Sequence, residues 1–138
     1  MVPALAHQAG EAMAPHAKFY WNELMTDDVE KAKAFYSAVL GWTFSEMPME
    51  GGRSYYVAML GDEPVAGLMD KTDIVPPYVP PHWFGYISVD DVDARVALLE
   101  AKGGQVVRPP FDIEGVGRIA IVADATGAPL GLMTAFDE

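Results

Sequence analysis

The tripeptide Asp27-Asp28-Val29 recurs as Asp90-Asp91-Val92, 63 positions later (27 to 90), and this repeat decides how the sequence is expected to fold. A second tripeptide, Gly67-Leu68-Met69, recurs as Gly131-Leu132-Met133, 64 positions later (67 to 131). A single short match arises readily by chance. Two matches in the same order and at nearly the same spacing indicate an internal duplication. The sequence therefore predicts two copies of one structural unit.

Each copy predicts a strand, a helix and three further strands. Runs of β-branched and aromatic residues bounded by turn residues predict the strands. These runs lie at residues 18–25, 42–47, 54–60, 65–69, 82–89, 105–108, 118–123 and 129–135. The order of elements is therefore β-α-β-β-β, twice.

The helices are expected to start at the paired aspartates. In the first copy Asp27 and Glu30 resemble a capping box, and Gly41 supplies a left-handed C-cap. In the second copy Asp90 or Asp91 caps a helix at residues 92–101. Helical spacing predicts that the first helix buries four apolar positions, namely Val29, Ala32, Phe35 or Tyr36, and Val39.

The domain organisation follows from the duplication. Residues 1–17 show no periodicity and are expected to form a flexible N-terminal tail. Residues 18–138 are expected to form a single domain, with module one at 18–69 and module two at 82–138. The linker between them, residues 70–81, has proline at four of its last six positions, which makes it semi-rigid.

Composition excludes several classes of protein. The 138 residues carry a net charge of −11, which disfavours binding to nucleic acid or anionic lipid. No apolar run approaches the roughly 20 residues of a membrane helix, and no Lys or Arg precedes position 15 as a secretion signal requires. The chain has no cysteine, so thiolate nucleophiles and Cys-ligated metals are excluded. A cytoplasmic location is expected.

A family resemblance rests on the repeat and on motifs within it. Asp28, Phe35-Tyr36 and Gly41-Trp42 lie in the first copy, and Asp124-x-x-Gly127 lies in the second. Together with the tandem β-α-β-β-β units, they resemble the vicinal oxygen chelate superfamily, which includes glyoxalases, bleomycin-resistance proteins and extradiol dioxygenases. The run from Trp21 to Asp27 and the tripeptide Pro81-His82-Trp83 are similar to its glyoxalase-related branch. The resemblance implies an α+β fold in which tandem βαβββ modules form a cupped, mostly antiparallel eight-stranded sheet with helices outside.

The resemblance also implies where a metal would bind. Metal-dependent members hold one divalent cation with side chains from the first and last strand of each module. Counted from the repeat anchors, these positions fall on Trp21, Gly67, Phe84 and Gly131. An indole, a phenyl ring and a glycine supply no metal ligand. No metal or other cofactor is therefore expected, unless the ligand register differs from this count.

Strand alternation predicts which other residues line the cup. The predicted lining is apolar, aromatic and rich in methionine, which is typical of a small-molecule pocket but also of an ordinary core. The predicted ligand-binding residues are Phe19, Trp21, Met25, Met69, Phe84, Tyr86 and Met133. Tyr36, Tyr55 and Tyr56 are candidate hydrogen-bond donors with equally plausible packing roles.

Glu23 and His82 are the candidate catalytic residues. Glu23 shares the parity of the inner face, where a carboxylate is costly to bury without a partner. In the superfamily the two first strands run antiparallel, which would bring Glu23 opposite His82. Such a pair is suited to act as a general acid and base, or to hold a shifted metal. A purely structural hydrogen-bonded pair is the alternative.

These expectations lead to three functional hypotheses. The first is a protein that binds a small, partly apolar ligand in the cup between its modules, without the usual divalent metal. The second is a metal-dependent or acid–base lyase or isomerase, similar to lactoylglutathione lyase, that uses Glu23 and His82. The third is non-catalytic sequestration of a cationic antibiotic, for which the net charge is favourable. Under each hypothesis the protein is expected to be a homodimer, because exposed edge strands need cover.

Overall fold

The computed structural model describes residues 16–113 and 116–136. The predicted flexible tail therefore lies outside the described residues up to position 15. Eight strands and two helices follow in the predicted order, so the predicted α+β class is confirmed. They are β1 (Lys18–Thr26), α1 (Val29–Leu40), β2 (Thr43–Pro48), β3 (Ser54–Leu60), β4 (Glu63–Asp70), β5 (His82–Ser88), α2 (Val92–Ala101), β6 (Gln105–Ile113), β7 (Gly117–Ala123) and β8 (Pro129–Ala135).

The described residues divide into two compact units. The first unit is residues 22–83, and the second is residues 16–21 together with 84–113 and 116–136. In the first unit β2, β3 and β4 form an antiparallel meander, and β4 pairs with β1 in parallel. In the second unit β6, β7 and β8 do the same, and β8 pairs with β5 in parallel. The pairing within each unit is therefore mostly antiparallel, as predicted. The prediction of a single domain at residues 18–138 stays a prediction.

Strand β6 is longer than its sequence predicts. It continues through Pro109 and Pro110 to Ile113, whereas the prolines predict an end at Arg108. Proline removes a hydrogen-bond donor and is tolerated at bulges. The register with β7 shifts between Arg108 and Phe111, which accommodates both prolines.

The first helix begins one residue later than the capping-box prediction. Asp28, not Asp27, is its N-cap and accepts a hydrogen bond from the backbone N–H of Lys31 at 3.0 Å. Gly41 ends the helix with φ of 77°, a left-handed conformation that costs glycine little. Either of the two adjacent aspartates could cap the helix, because their side chains have the same hydrogen-bonding chemistry. The sequence alone therefore does not distinguish Asp27 from Asp28 as the N-cap.

The second helix packs on the core of its own unit. Asp91 caps it and accepts from the N–H of Ala94 at 3.2 Å. Val92 and Val96 of the helix are buried against β7 and β8, in a cluster made with Val89, Ala120, Val122 and Leu132. Roughly 1.5–3 kcal/mol accompanies full burial of each such large aliphatic side chain, so this cluster anchors α2.

The prediction that the first helix buries its apolar stripe is wrong. No residue of α1 is buried, and Phe35 and Val39 are 56% and 59% exposed. Leu40, at the end of the helix, is 48% exposed. The periodicity that predicts the helix is thus present, but of its apolar residues only Val29, Ala32 and Tyr36 are partly covered.

Neither of the two helices in the described residues is long and apolar enough to cross a membrane.

We predict a pH-dependent contribution to stability from Asp90. Arg95 donates Nε–H and Nη2–H to the two carboxylate oxygens, each at 2.9 Å, and this hydrogen bonding lowers the pKa of Asp90 from 3.8 to about 2. A carboxyl whose pKa is lower in the folded state stabilises the fold above its unfolded pKa and loses that effect as the pH falls toward 2. Asp90→Asn should therefore lower the melting temperature at pH 7 and have little effect at pH 2.

The control for this prediction is Asp62→Asn, which alters an exposed carboxylate that makes no ion pair within the described ranges. Thermal unfolding of the three proteins between pH 2 and 7 makes the comparison. An equal effect of Asp90→Asn at both extremes would contradict the prediction.

Candidate functional site

The sheet of the first unit has two chemically different faces. One face lies under α1, where Lys33 places its ammonium 4.4 Å from the centre of the Tyr56 ring. Tyr56 pairs with Leu68, and Leu68 pairs with Leu24, so these residues share the α1 face. Because side chains alternate along a strand, their neighbours lie on the opposite face, here called the distal face. The distal face carries Glu23, Met25, Tyr55, Val57, Gly67 and Met69.

Glu23 is a buried carboxylate on the distal face. It is 2% exposed, and its Oε1 accepts a hydrogen bond from the hydroxyl of Tyr55 at 2.9 Å. Tyr55 is itself completely buried. A carboxylate removed from water is costly unless donors satisfy it, and a hydrogen bond to a charged acceptor is stronger than one between neutral groups. Of the three tyrosines considered from the sequence, Tyr55 is the one that meets this carboxylate.

The strand register sets what lies next to Glu23. Glu23 is in register with Gly67 of β4, and the next pair on the same face is Met25 with Met69. Both methionines are buried. The carboxylate therefore has a glycine beside it and two adaptable thioether side chains next to it, which is a favourable setting for a small ligand.

His82 lies at the start of β5 in the same unit and is half-buried. Its Nδ1 is 2.9 Å from the backbone carbonyl oxygen of Pro80, in the linker. Tyr55 is thus one hydrogen-bond partner of Glu23, and His82 contacts the backbone of Pro80. The facing of Glu23 and His82 stays a prediction.

The predicted lining residues differ in exposure. Trp21, Met25, Met69, Tyr86 and Met133 are buried, and Phe84 is half-buried with its ring edge-on to Tyr86. Phe19 is 67% exposed at the start of β1. Burial is what a pocket lining and a packed core have in common, so their role in binding a ligand stays a prediction.

The second unit repeats the backbone arrangement with different chemistry. Tyr86 is in register with Gly131, as Glu23 is with Gly67, and the same repeat spacing relates the two pairs. The Tyr86 ring covers Gly131 so closely that a β-carbon there would overlap it. Ser88, two residues along, is buried, and no hydrogen-bond partner for its hydroxyl is found among the described residues.

The residues at the four positions expected to bind metal do not fit a divalent cation. Trp21 and Phe84 offer no donor atom, and the ring over Gly131 leaves no space for a longer side chain. Within residues 16–113 and 116–136, no three His, Asp or Glu side chains are grouped as a metal site requires. Glu23 is in register with the Gly67 position, but one carboxylate is fewer ligands than such a site needs.

Comparison with known proteins identifies similar chains. The family model "Glyoxalase/Bleomycin resistance protein/Dioxygenase superfamily" matches residues 15–132. The protein "Putative glyoxylase CFP32" from Mycobacterium bovis is 47% identical over 108 residues, which are 78% of this chain and 40% of that protein. "Anthracycline biosynthesis protein DnrV" from Streptomyces peucetius is 30% identical over 120 residues, which are 78% of this chain and 43% of that protein. The chain thus spans about two-fifths of these relatives.

A solved structure shares the fold. Methylmalonyl-CoA epimerase from Mycobacterium tuberculosis superposes with a TM-score of 0.63 over 93% of this chain and 92% of that chain. Sequence identity is 17%, so this likeness concerns the fold alone.

We predict that Tyr55→Phe destabilises the protein by about 1–3 kcal/mol, because the substitution removes a hydrogen bond to a buried charged group. Urea unfolding measures the loss. Tyr78→Phe is the matched control, since Tyr78 is 85% exposed and should leave the unfolding midpoint unchanged. In a double-mutant cycle, Tyr55→Phe should cost less in a Glu23→Gln background. Additive effects of the two substitutions would refute the coupling.

Proposed function

Because the chain belongs to the glyoxalase/bleomycin resistance protein/dioxygenase superfamily, we propose that it binds a small, partly apolar molecule at the distal face of its first unit. The observation that carries the proposal is the buried Glu23 carboxylate with the Tyr55 hydroxyl on it. Ligand pockets are mostly apolar and orient their ligands with a few well-placed polar groups. Glu23 and Tyr55 are such groups, and the surrounding side chains are apolar.

The methionines beside Glu23 provide the route by which a ligand reaches it. Met25 and Met69 are buried with Glu23 and stand in register next to it. Methionine is unbranched and changes conformation at low cost. In the proposal, a ligand displaces these two side chains and presents a hydrogen-bond donor or a polarised C–H bond to the carboxylate.

The proposed site works without a divalent metal. The side chains at the expected ligand positions supply no donors, whereas Glu23 supplies a negative charge by itself. Elemental analysis of protein purified without chelators tests this part of the proposal. A stoichiometric divalent ion would overturn it.

A second candidate is acid–base catalysis by a lyase or isomerase, which the burial of Glu23 specifically favours. A carboxylate shielded from water is a stronger base toward a C–H bond next to a carbonyl, because fewer donors compete for it. In this reaction Glu23 takes the proton from a carbon that carries a hydroxyl group and returns it to the neighbouring carbonyl carbon. His82 or the Tyr55 hydroxyl moves the hydroxyl proton from the oxygen of the first carbon to the oxygen of the second, so that hydroxyl and carbonyl exchange places. The glyoxylase name of CFP32 agrees with this class of reaction.

We predict that Glu23→Gln removes both binding and catalysis while preserving the fold, because the amide keeps the shape of the carboxylate and loses its charge. Any molecule that wild-type protein retains in native mass spectrometry should bind about tenfold or more weakly to the variant, a loss of about 1.4 kcal/mol. Glu63→Gln, at an exposed position of β4, is the control. Equal retention by wild type and Glu23→Gln would contradict the proposed site.

Two probes separate the candidates. With the methylglyoxal–glutathione hemithioacetal in D₂O, a lyase or isomerase forms product and exchanges deuterium, and a binding protein does neither. Calorimetric titration with bleomycin or daunorubicin tests sequestration of an antibiotic, which the similarity to DnrV and the net charge of −11 favour. If these drugs give no heat while another ligand binds, sequestration is excluded.

The homodimer is proposed to form through α1. Members of the superfamily commonly form dimers, and α1 exposes Phe35, Val39 and Leu40 on its surface. The exposed Trp83 extends this apolar surface, with its ring edge-on to Tyr36 of α1. Aromatic residues are enriched in interfaces, and a twofold dimer would bury the same patch on both copies.

We predict that Val39→Glu converts the dimer to a monomer in sedimentation velocity, because it places two like charges in the shared patch. Val107→Glu is the matched control, since Val107 of β6 is 65% exposed and lies in the other unit. A monomeric wild type, or a Val39→Glu variant that stays dimeric, would refute this interface.

A further inference from the structure

A separate pocket opens where β1 and β4 end in the first unit. Its volume is about 510 Å³. It is lined by Asp27, Lys71, Thr72, Asp73, Ile74, Val75, Pro76 and Pro77. Asp27 is four residues beyond Glu23, a distance of roughly 13 Å along a strand. The pocket is therefore distinct from the site proposed at Glu23.

The loop that forms this pocket is held in place by Arg53. The Arg53 guanidinium donates through Nη2 to the carbonyl oxygens of Asp70 at 2.9 Å and Thr72 at 2.7 Å. The Asp70 carboxylate accepts from the N–H of Thr72 at 2.8 Å. The hydrogen bonds from Thr72, with smaller contributions from the charges of Arg53 and Lys71, keep the pKa of Asp70 below its usual value. Asp70 is thus an ionised residue whose carboxylate is hydrogen-bonded within the loop.

The backbone of the loop is fixed as well. The N–H of Lys71 donates to the carbonyl of Thr26 at 2.9 Å, which joins the ends of β4 and β1. The Lys71 carbonyl accepts from the N–H groups of Ile74 and Val75. Asp73 within this turn has φ of 66°, a left-handed conformation that is uncommon for residues other than glycine and tends to occur at functional sites.

Lys71 is the unusual member of the pocket. It is 5% exposed, although lysine is among the residue types least often buried. Across residues 16–113 and 116–136, no ion pair or hydrogen bond is found for its ammonium group. By contrast Lys33, Arg95 and Arg118 each contact a carboxylate. The charge of Lys71 acts on the Asp70 carboxylate, which is itself bound to the loop through Thr72, so the ammonium can still pair with an anion in the pocket that Lys71 lines.

The other charges in the pocket restrict what that counter-ion is. Asp27 and Asp73 both line the pocket, so its three charged side chains sum to one negative charge. A dianion such as phosphate would be repelled by the two carboxylates. A molecule with one carboxylate for Lys71 and one ammonium for the aspartates satisfies all three. The apolar wall of Ile74, Val75, Pro76 and Pro77 would contact an aliphatic side chain.

We propose that this pocket binds a small zwitterion of the α-amino acid class, with its carboxylate on Lys71, its ammonium between Asp27 and Asp73, and its aliphatic part on the proline-rich wall. Nothing in the argument depends on Glu23, so the pocket can be tested independently of the site proposed there.

The test is an NMR titration of the ¹⁵N-labelled full chain with L-leucine, following the backbone amides of Thr72, Asp73, Ile74 and Val75. Saturable shifts at these amides are expected. 4-Methylpentanoate and 3-methylbutylamine, each carrying one of the two charges of leucine, should bind about tenfold or more weakly, and inorganic phosphate should not shift these amides.

Two variants locate the binding. Lys71→Met keeps the apolar stem and removes the charge, and should weaken leucine binding about tenfold or more. Asp73→Asn should weaken it too and is the safeguard against misfolding of Lys71→Met, since asparagine tolerates the left-handed backbone. Lys102→Met, on the exposed end of α2, is the control.

Three results would overturn the proposal. These are the absence of saturable shifts in residues 72–75, equal leucine binding by wild type and both pocket variants, and 3-methylbutylamine binding as tightly as leucine. The last result would mean that the acidic rim binds cations without Lys71.

Discussion

The parallel pairing of the first and last strand of each copy is the constraint on which the candidate sites depend. Parallel neighbours require a crossover connection. Between β1 and β4 this connection consists of α1, β2 and β3, and between β5 and β8 it consists of α2, β6 and β7. In the first unit this pairing fixes Glu23 beside Gly67 and Met25 beside Met69. Because β1 and β4 are parallel, their C-terminal ends lie at the same edge of the sheet, where Asp27 and Lys71 line a common pocket. One register thus positions a buried carboxylate and a buried lysine.

Duplication has preserved the backbone and changed the side chains. Glu23 of the first copy corresponds to Tyr86 of the second, and each is in register with a glycine. The helices differ as well, since α2 buries Val92 and Val96 whereas α1 buries no residue. The second copy therefore has the better buried helix, and the first copy has exposed apolar residues on its helix and buried ionisable residues on its strands and linker.

The sequence predicts the fold well because strands and helices leave local sequence signals. Turn residues delimit the strands, and Gly41 ends α1 as expected. The burial of α1 could not be predicted, because periodicity identifies an apolar stripe but not whether another element covers it. Glu23 was recognisable from the parity of its strand. Lys71 was not, because a lysine after a strand is normally solvated, and the contacts of Arg53 with the carbonyl oxygens on either side of Lys71 have no signal in the sequence.

The two units differ in where their ionisable residues lie. In the second unit Arg95 pairs with Asp90, and Arg118 pairs with Asp93 and Asp112, all at exposed positions. These hydrogen bonds raise the pKa of Arg118 and lower that of Asp93, as expected for charges that already have partners. Two arginines of this unit are thus already bound to carboxylates. In the first unit, by contrast, Lys71 and Glu23 are both buried residues. The groups on which both proposed sites depend, Glu23 and Lys71, thus lie in the first copy.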